Sequence, residues 1–286
     1  MSTTSSTLTK SPYRFERRYQ GTVKAVICDW AGTTVDFGSR APIMAFMSLF
    51  NNHGIQVTEA QAREPMGTEK SVHIRMMLAM PEIQERWQAA KGAPSTEDDV
   101  MALYDEFLPI QLETIRLTGE LIPGWAETVA ELRNQGIKLG GNTGYNTQMY
   151  AVVAEVAREA GYQADVNVCA TEVSKGRPYP YMSQAVMEKL EILEAQACIK
   201  VDDTETGIEE GLNAGMWTVA VAVSGNANGL SLEQWQALSQ DEQEAIAVKA
   251  RHKMALSGAH YVIDSVADLC DVVEDINARL AAGDRP

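Results

Sequence analysis

The chain has 286 residues, 45% of them hydrophobic and 22% charged, with a formal net charge of −15. That balance describes one large or two modest globular domains, and its sign argues against nucleic acid or an anionic membrane as the main partner. No apolar run approaches the ~18 residues of a membrane span. The four cysteines (Cys28, Cys169, Cys198, Cys270) and four histidines (His53, His73, His252, His260) form no C-x-x-C pair and no ligand-spaced cluster, so they predict reduced core thiols and no zinc site.

Residues 1–20, MSTTSSTLTKSPYRFERRYQ, are rich in Ser and Thr and set Lys10, Arg14, Arg17 and Arg18 against Glu16. They show no apolar period and predict a flexible N-terminal extension, without the apolar face of a transit peptide or the core of a signal peptide. The run at 23–28 predicts the first buried strand, and Asp29 stands where that strand gives way to a loop of small residues. From Phe37 to Pro123 the pattern is wholly helical. Residues 42–52 are apolar, Thr58-Glu59-Ala60-Gln61 is a capping box, and helices follow at 68–80 and at 81–90, the latter with Pro81 in a tolerated first position. Thr96 caps a long helix whose apolar stripe is Val100, Leu103, Phe107 and Ile110, a core face with a dimer contact as the alternative. On the helix at 68–80, Lys70, His73, Ile74 and Met77 share one face, with Met66 one turn earlier. By composition alone Lys70 reads as a solvated surface lysine beside a partly buried imidazole.

Beyond Pro123, apolar runs and helical patterns alternate. Strands are predicted at 137–141, 166–170, 198–202, 218–223 and 261–263. Helices at 125–135, 147–159 and 206–214 close on Gly136, Gly161 and Gly215. One or two helices occupy 231–256, and the last spans 265–280. The expected fold is α/β: a doubly wound, Rossmann-like parallel sheet core (21–37 and 124–286) with a second, all-helical domain (38–123) inserted after the first strand.

Open parallel sheets place their ligands at strand C-termini, and four such ends here are polar: Asp29, Thr143 in GGNTGY, Arg177 in SKGRPYP, and Asp202-Asp203 in IKVDDT. Any one of them is a commonplace helix cap or turn residue; four at successive strand ends are hard to read as packing. Asp29 and an acid of the Asp202-Asp203 pair suit a hard divalent cation such as Mg²⁺. Thr143 and the neighbouring glycine amides offer donors to phosphoryl oxygens, Arg177 offers a fixed cationic fork, and Asp29 fits a carboxylate nucleophile.

The strings DWAGTTVDFG, PMGTEK, NTGY, GRPYP and NAGMWTV resemble the phosphonatase family of the haloacid dehalogenase superfamily, from about Val23 to near Tyr261. Most phosphatases of that superfamily carry a second acid two positions after the nucleophile; here that position is Ala31. The resemblance implies a reason: a carbon–phosphorus bond is broken, no alkoxide leaves, and no oxygen needs protonating. It implies hydrolysis of phosphonoacetaldehyde to acetaldehyde and phosphate by a cytoplasmic, Mg²⁺-dependent homodimer with a helical cap. Lys70 would form an imine with the aldehyde, and Asp29 would become phosphorylated. The Ala31 carbonyl and Asp203 would join Asp29 on the metal, with Asp202 standing where a glycine is expected and able to share or perturb that site. Thr143 and Arg177, with Lys175 as the alternative base, match phosphate-contacting positions. Met66 would wall the substrate pocket, and His73 and Tyr145 match positions near the imine. Ser39 replaces a cysteine of some relatives, and His53, His252 and His260 match no motif. Two other readings are a phosphomonoesterase or phosphomutase, disfavoured by Ala31, and a non-catalytic phosphate sensor, disfavoured by the complete polar set.

Overall fold

The computed structural model describes residues 19–286. Most of the expected N-terminal extension, residues 1–18, lies outside the described residues. Its last two positions do not, and the Tyr19 backbone N–H donates to Gln196 Oε1 at 3.2 Å.

The elements run in chain order β1 (Ala25–Cys28), α1 (Arg40–Asn52), α2 (Glu59–Arg63), α3 (Lys70–Ala79), α4 (Pro81–Lys91), α5 (Glu97–Thr118), α6 (Trp125–Asn134), β2 (Lys138–Thr143), α7 (Thr147–Glu159), β3 (Val166–Cys169), α8 (Tyr181–Lys189), β4 (Cys198–Asp202), α9 (Glu205–Asn213), β5 (Trp217–Val221), α10 (Leu232–Gln236), α11 (Gln240–Ala255), β6 (Tyr261–Ile263) and α12 (Leu269–Ala282). The six strands form one sheet in the order β3-β2-β1-β4-β5-β6. Every pairing is parallel, with Ala25 opposite both Lys138 and Cys198. The chain reverses its direction of winding between β1 and β4, and a crevice opens at the strand C-termini of such a switch point. β1, β4 and β5 are buried throughout, which is why they read as continuous apolar runs rather than as alternating ones.

Five of the six helices between β1 and β2, α1 to α5, lie in the stretch expected to be wholly helical, and its only strand-like pairing among the described residues is the isolated Val35–Leu121 bridge. Thr58 and Thr96 close capping boxes at α2 and α5. The start of α1 is held from outside the helix: Asp36 Oδ1 accepts from Arg40 N–H at 2.9 Å and Oδ2 from Ala41 N–H at 2.8 Å. The largest apolar cluster runs without a break from Val26, Ile199 and Val219 of the sheet to Phe46, Ile74 and Phe107 of the helical insert. The insert is therefore packed down onto the strand ends.

Three sequence expectations are corrected. The helix expected at 68–80 is Lys70–Ala79, because the Glu69 carboxylate accepts from the backbone N–H groups of Ser71 and Val72 and sets the start there. Met66 lies in the turn before it, as expected. Ile110 is only partly buried, so the core stripe of α5 is carried by Val100, Leu103 and Phe107. And α8, absent from the sequence reading, covers β2 and β3 through Met182, Val186 and Met187. The cysteines are all free thiols, and no helix among the described residues is long and apolar enough to cross a membrane.

Candidate active site

Asp29 follows β1 directly, and its backbone N–H continues the ladder by donating to Val201 O at 3.0 Å. Thr143 ends β2, where its hydroxyl oxygen accepts from the Tyr145 N–H at 3.1 Å, which leaves the hydroxyl proton available to an incoming oxygen. Gly144 comes next. A Cβ there would stand 2.6 Å from Thr68 O of the insert, so only glycine lets the insert approach this closely. Asp29, Ala31, Ser39, Met66, Gly67, Lys70, Thr143, Tyr145 and Arg177 all border one narrow space of about 20 Å³, the scale of a single ordered water. A larger hollow of about 500 Å³ adjoins it and is lined by Arg63, Met66, Asp203 and Thr204, whereas one of about 480 Å³ between Met47 and Arg86 carries none of the residues that point to chemistry.

Arg177 is the hub of the buried charges. Its Nη2 donates to Asp29 Oδ1 at 2.6 Å and to Asn142 Oδ1 at 2.9 Å, and its Nε donates to Glu210 Oε2 at 3.0 Å. Nη1 makes one contact, to Gly67 O at 3.3 Å, so one of its two hydrogens is uncommitted. Burial would drive this guanidinium's pKa down, but the charges of Asp202, Asp29 and Glu210 together hold it above its ordinary value. Lys175, the alternative base, is exposed and lies over the Tyr179 ring at 4.5 Å. Of the two, Arg177 is the one buried beside Asp29.

Asp29, Asp202 and Asp203 place carboxylate oxygens within 4.8 Å of one another, all buried. Around them Arg177 and Lys200 pair with Asp29, Asp202 and Glu210, while Asp203 has no cation in salt-bridge range among the described residues, so its buried charge is left poorly balanced. Burial and then the charges of Asp29 and Asp202 push its carboxyl well above the usual range. Among the described residues its oxygens accept from Thr33 Oγ1 at 3.2 Å and from Asn226 N–H at 2.7 Å, so acceptor capacity remains on a carboxylate with about four lone-pair sites. Asp29 likewise keeps an oxygen free of Arg177. Burial raises its carboxyl as well, while Arg177 opposes the rise. The site fits a hard divalent cation.

Lys70 enters from the insert at the first position of α3, only 3% exposed. Its Nζ lies 5.3 Å from the Tyr145 ring and 5.8 Å from the Phe46 ring. Burial lowers its pKa from 10.5 to about 8, against the opposing pull of Asp29 and Glu69. Tyr145 borders the same space, and burial raises its phenol well above 10. His73, one turn along α3, does not border the cavity. Its Nε2 lies 2.9 Å from Ala62 O, its ring stacks on Phe46 at 3.9 Å, and its Nδ1 has no partner. Burial, then the charge of Lys70, hold it well below 6.5.

Sequence reasoning missed Lys200, Asn142, Ser183 and Glu210, the polar floor beneath Arg177. Glu210 Oε1 accepts from Ser183 Oγ at 2.8 Å and Asn142 Nδ2 at 2.9 Å. The available signal was Lys200 itself, a lysine inside the apolar run CIKV whose ammonium had to find a buried partner.

Residues 23–215 match the haloacid dehalogenase-like hydrolase family model. The phosphonoacetaldehyde hydrolase of Hahella chejuensis is 50% identical over 274 residues, covering 96% of this chain and 93% of that protein. That of Pseudomonas aeruginosa is 46% identical, covering 93% of this chain and 96% of its own. The crystal structure of a phosphonoacetaldehyde hydrolase-like protein from Oleispira antarctica superposes with a TM-score of 0.94 at 53% identity, covering 96% of this chain and 99% of that one. With identity of this extent running through both the sheet and the helical insert, the chain belongs to the phosphonoacetaldehyde hydrolase family of the haloacid dehalogenase-like hydrolases.

Proposed function

We propose that the protein hydrolyses the carbon–phosphorus bond of phosphonoacetaldehyde, giving acetaldehyde and phosphate through a Lys70 imine and an Asp29 aspartyl phosphate. The observation that carries this reading is Lys70, a buried lysine with its pKa lowered to about 8, bordering the same narrow space as Asp29. At pH 7 such a lysine is the free amine in about one molecule in ten, against about one in 10³ for an ordinary lysine. It is correspondingly competent to attack an aldehyde.

The amine adds to the carbonyl and expels water, leaving a protonated imine one carbon from phosphorus. The free oxygen of Asp29 then attacks phosphorus. The carbon–phosphorus electrons move into the imine and form an enamine, so no group need protonate a departing oxygen, and Ala31 suffices where an acid would otherwise stand. Water next attacks the aspartyl phosphate and releases phosphate. The enamine takes a proton at carbon, returns to the imine, and water releases acetaldehyde and the Lys70 amine. The Thr143 hydroxyl and the uncommitted hydrogen of Arg177 Nη1 serve the phosphonate oxygens. Met66 walls the pocket. Tyr145, protonated at neutral pH, donates near the imine nitrogen. His73 keeps its buried Nδ1 lone pair as a proton acceptor on the Lys70 face of α3.

Asp29, Asp203 and the Ala31 carbonyl would hold Mg²⁺, which lowers the repulsion between the Asp29 carboxylate and an anionic phosphonate. The space between Lys70 and Asp29 is too narrow for the substrate, so the insert would lift to admit it and close to bring Lys70 to Asp29. The reading further places the enzyme in the cytoplasm as a homodimer.

The test is phosphate and acetaldehyde release from phosphonoacetaldehyde, with and without Mg²⁺. Equimolar products that vanish reversibly with a chelator, and vanish in Asp29→Asn with unchanged circular dichroism, are expected. Faster turnover of a sugar phosphate than of phosphonoacetaldehyde would replace this reading with a phosphomonoesterase or phosphomutase.

A further inference from the structure

By proximity alone Asp202 belongs with the metal-ligating acids. Its hydrogen bonds say otherwise. Oδ1 accepts from the Thr204 N–H at 3.0 Å and the Thr204 hydroxyl at 2.7 Å. Oδ2 accepts from Lys200 Nζ at 2.7 Å and faces Arg177 Nη2 at 3.1 Å. A carboxylate has about four lone-pair sites; three take these hydrogen bonds and the fourth lies towards the Arg177 charge. Asp203 and Asp29, by contrast, each keep room for a cation.

Gly207 supplies an independent observation. It lies in the first turn of α9, and a Cβ built on it would stand 2.0 Å from Asp202 Cγ and 2.1 Å from each carboxylate oxygen. The Asp202 carboxylate fills the space that any side chain at 207 would need. Glycine is a poor helix former, so its presence there calls for such a reason.

We propose that Asp202 is a positioning residue for Arg177 rather than a metal ligand, and that Gly207 is the vacancy in α9 that seats it. Asp202 and Glu210 meet the guanidinium at Nη2 and Nε. Between them they fix its plane, so that Nη2 stays on Asp29 while Nη1 keeps a hydrogen for the phosphonate. The kinetic consequence rests on the phosphonate-binding role proposed above for Arg177; the Asp202–Gly207 fit does not.

Two measurements separate these halves. Gly207→Ala in the otherwise native protein lowers the thermal midpoint, because the methyl group collides with Asp202. In an Asp202→Gly background the same change raises the midpoint, since alanine is the better helix former. An effect of one sign in both backgrounds overturns the matched pair. Asp202→Asn, which keeps the shape, leaves Mg²⁺ affinity by titration calorimetry within about twofold but raises KM for phosphonoacetaldehyde and Kd for inorganic phosphate about tenfold. A Mg²⁺ affinity weakened about tenfold or more would make Asp202 a ligand, and an unchanged phosphate Kd would remove it from Arg177. Phosphate binding is read without turnover, so a wrong substrate assignment leaves this arm intact.

Discussion

At position 70 the chain buries an ammonium-bearing side chain with no carboxylate among the described residues in salt-bridge range, between Tyr145 and Phe46. The unfolded chain holds the lysine proton up to about pH 10.5, whereas the folded protein releases it near 8. Between those values the unfolded state binds more protons, so stability rises with pH across that window and the cost is complete below it. A shift of this size corresponds to roughly 3 kcal/mol. Lys70→Met is therefore expected to raise the thermal midpoint at pH 7 while abolishing turnover. The gain should shrink steadily from pH 8 to 10.5. A gain independent of pH would mean that packing, not charge burial, is the cause. Residues at strand ends were legible because position alone singles them out: Asp29, Thr143, Arg177 and Asp203 all surround the switch point. Lys70 was legible only through its resemblance, because nothing in the local sequence tells a buried lysine from a solvated one. The difference arises from Tyr145 and Phe46, distant in sequence.

Among the elements, α3 shows how a boundary carries function. Glu69 caps the helix through the N–H groups of Ser71 and Val72, and its charge raises the Lys70 pKa. Glu69→Ala should cost about 1 kcal/mol of stability as the cap is lost. It should also move the alkaline-rising limb of the activity profile to lower pH, since one anion that favours the lysine proton has gone. A limb that moves upward would show that Glu69 does not act on Lys70 through its charge. All six strands were readable from short apolar runs, α2 from its capping box and α5 from its Thr96 cap. The start of α3 was placed at Thr68, whereas the Glu69 carboxylate caps the helix and it begins at Lys70. α8 was missed because PYPY reads as a turn and the apolar residues that follow it, Met182, Val186 and Met187, form a weak stripe until β2 and β3 are beneath them.

For the molecule as a whole, the order β3-β2-β1-β4-β5-β6 gathers residues as far apart as 29 and 203 at one edge of the sheet, and the insert lowers Lys70 onto them. That closure depends on close backbone approach at Gly144. Gly144→Ala should hold the insert back from the strand ends and lower kcat at least tenfold, a loss of roughly 1.4 kcal/mol or more in transition-state stabilisation. Mg²⁺ affinity, which belongs to the sheet side alone, should hold. Loss of Mg²⁺ affinity in this variant would mean that the metal site and the closure are not separable. The charge balance at the switch point, like the closure, lay beyond the sequence reading, because the partners of Lys200 and Glu210 become neighbours only when β2, β4, α8 and α9 are assembled.

The central claim is that Lys70 forms the imine, and borohydride trapping tests it most directly. Borohydride added with phosphonoacetaldehyde should inactivate the enzyme and leave a stable secondary amine that peptide mapping places on Lys70. Inorganic phosphate should protect, and Lys70→Arg, which stays protonated, should neither turn over nor be trapped. Modification at another lysine, or full activity in Lys70→Arg, would contradict the mechanism.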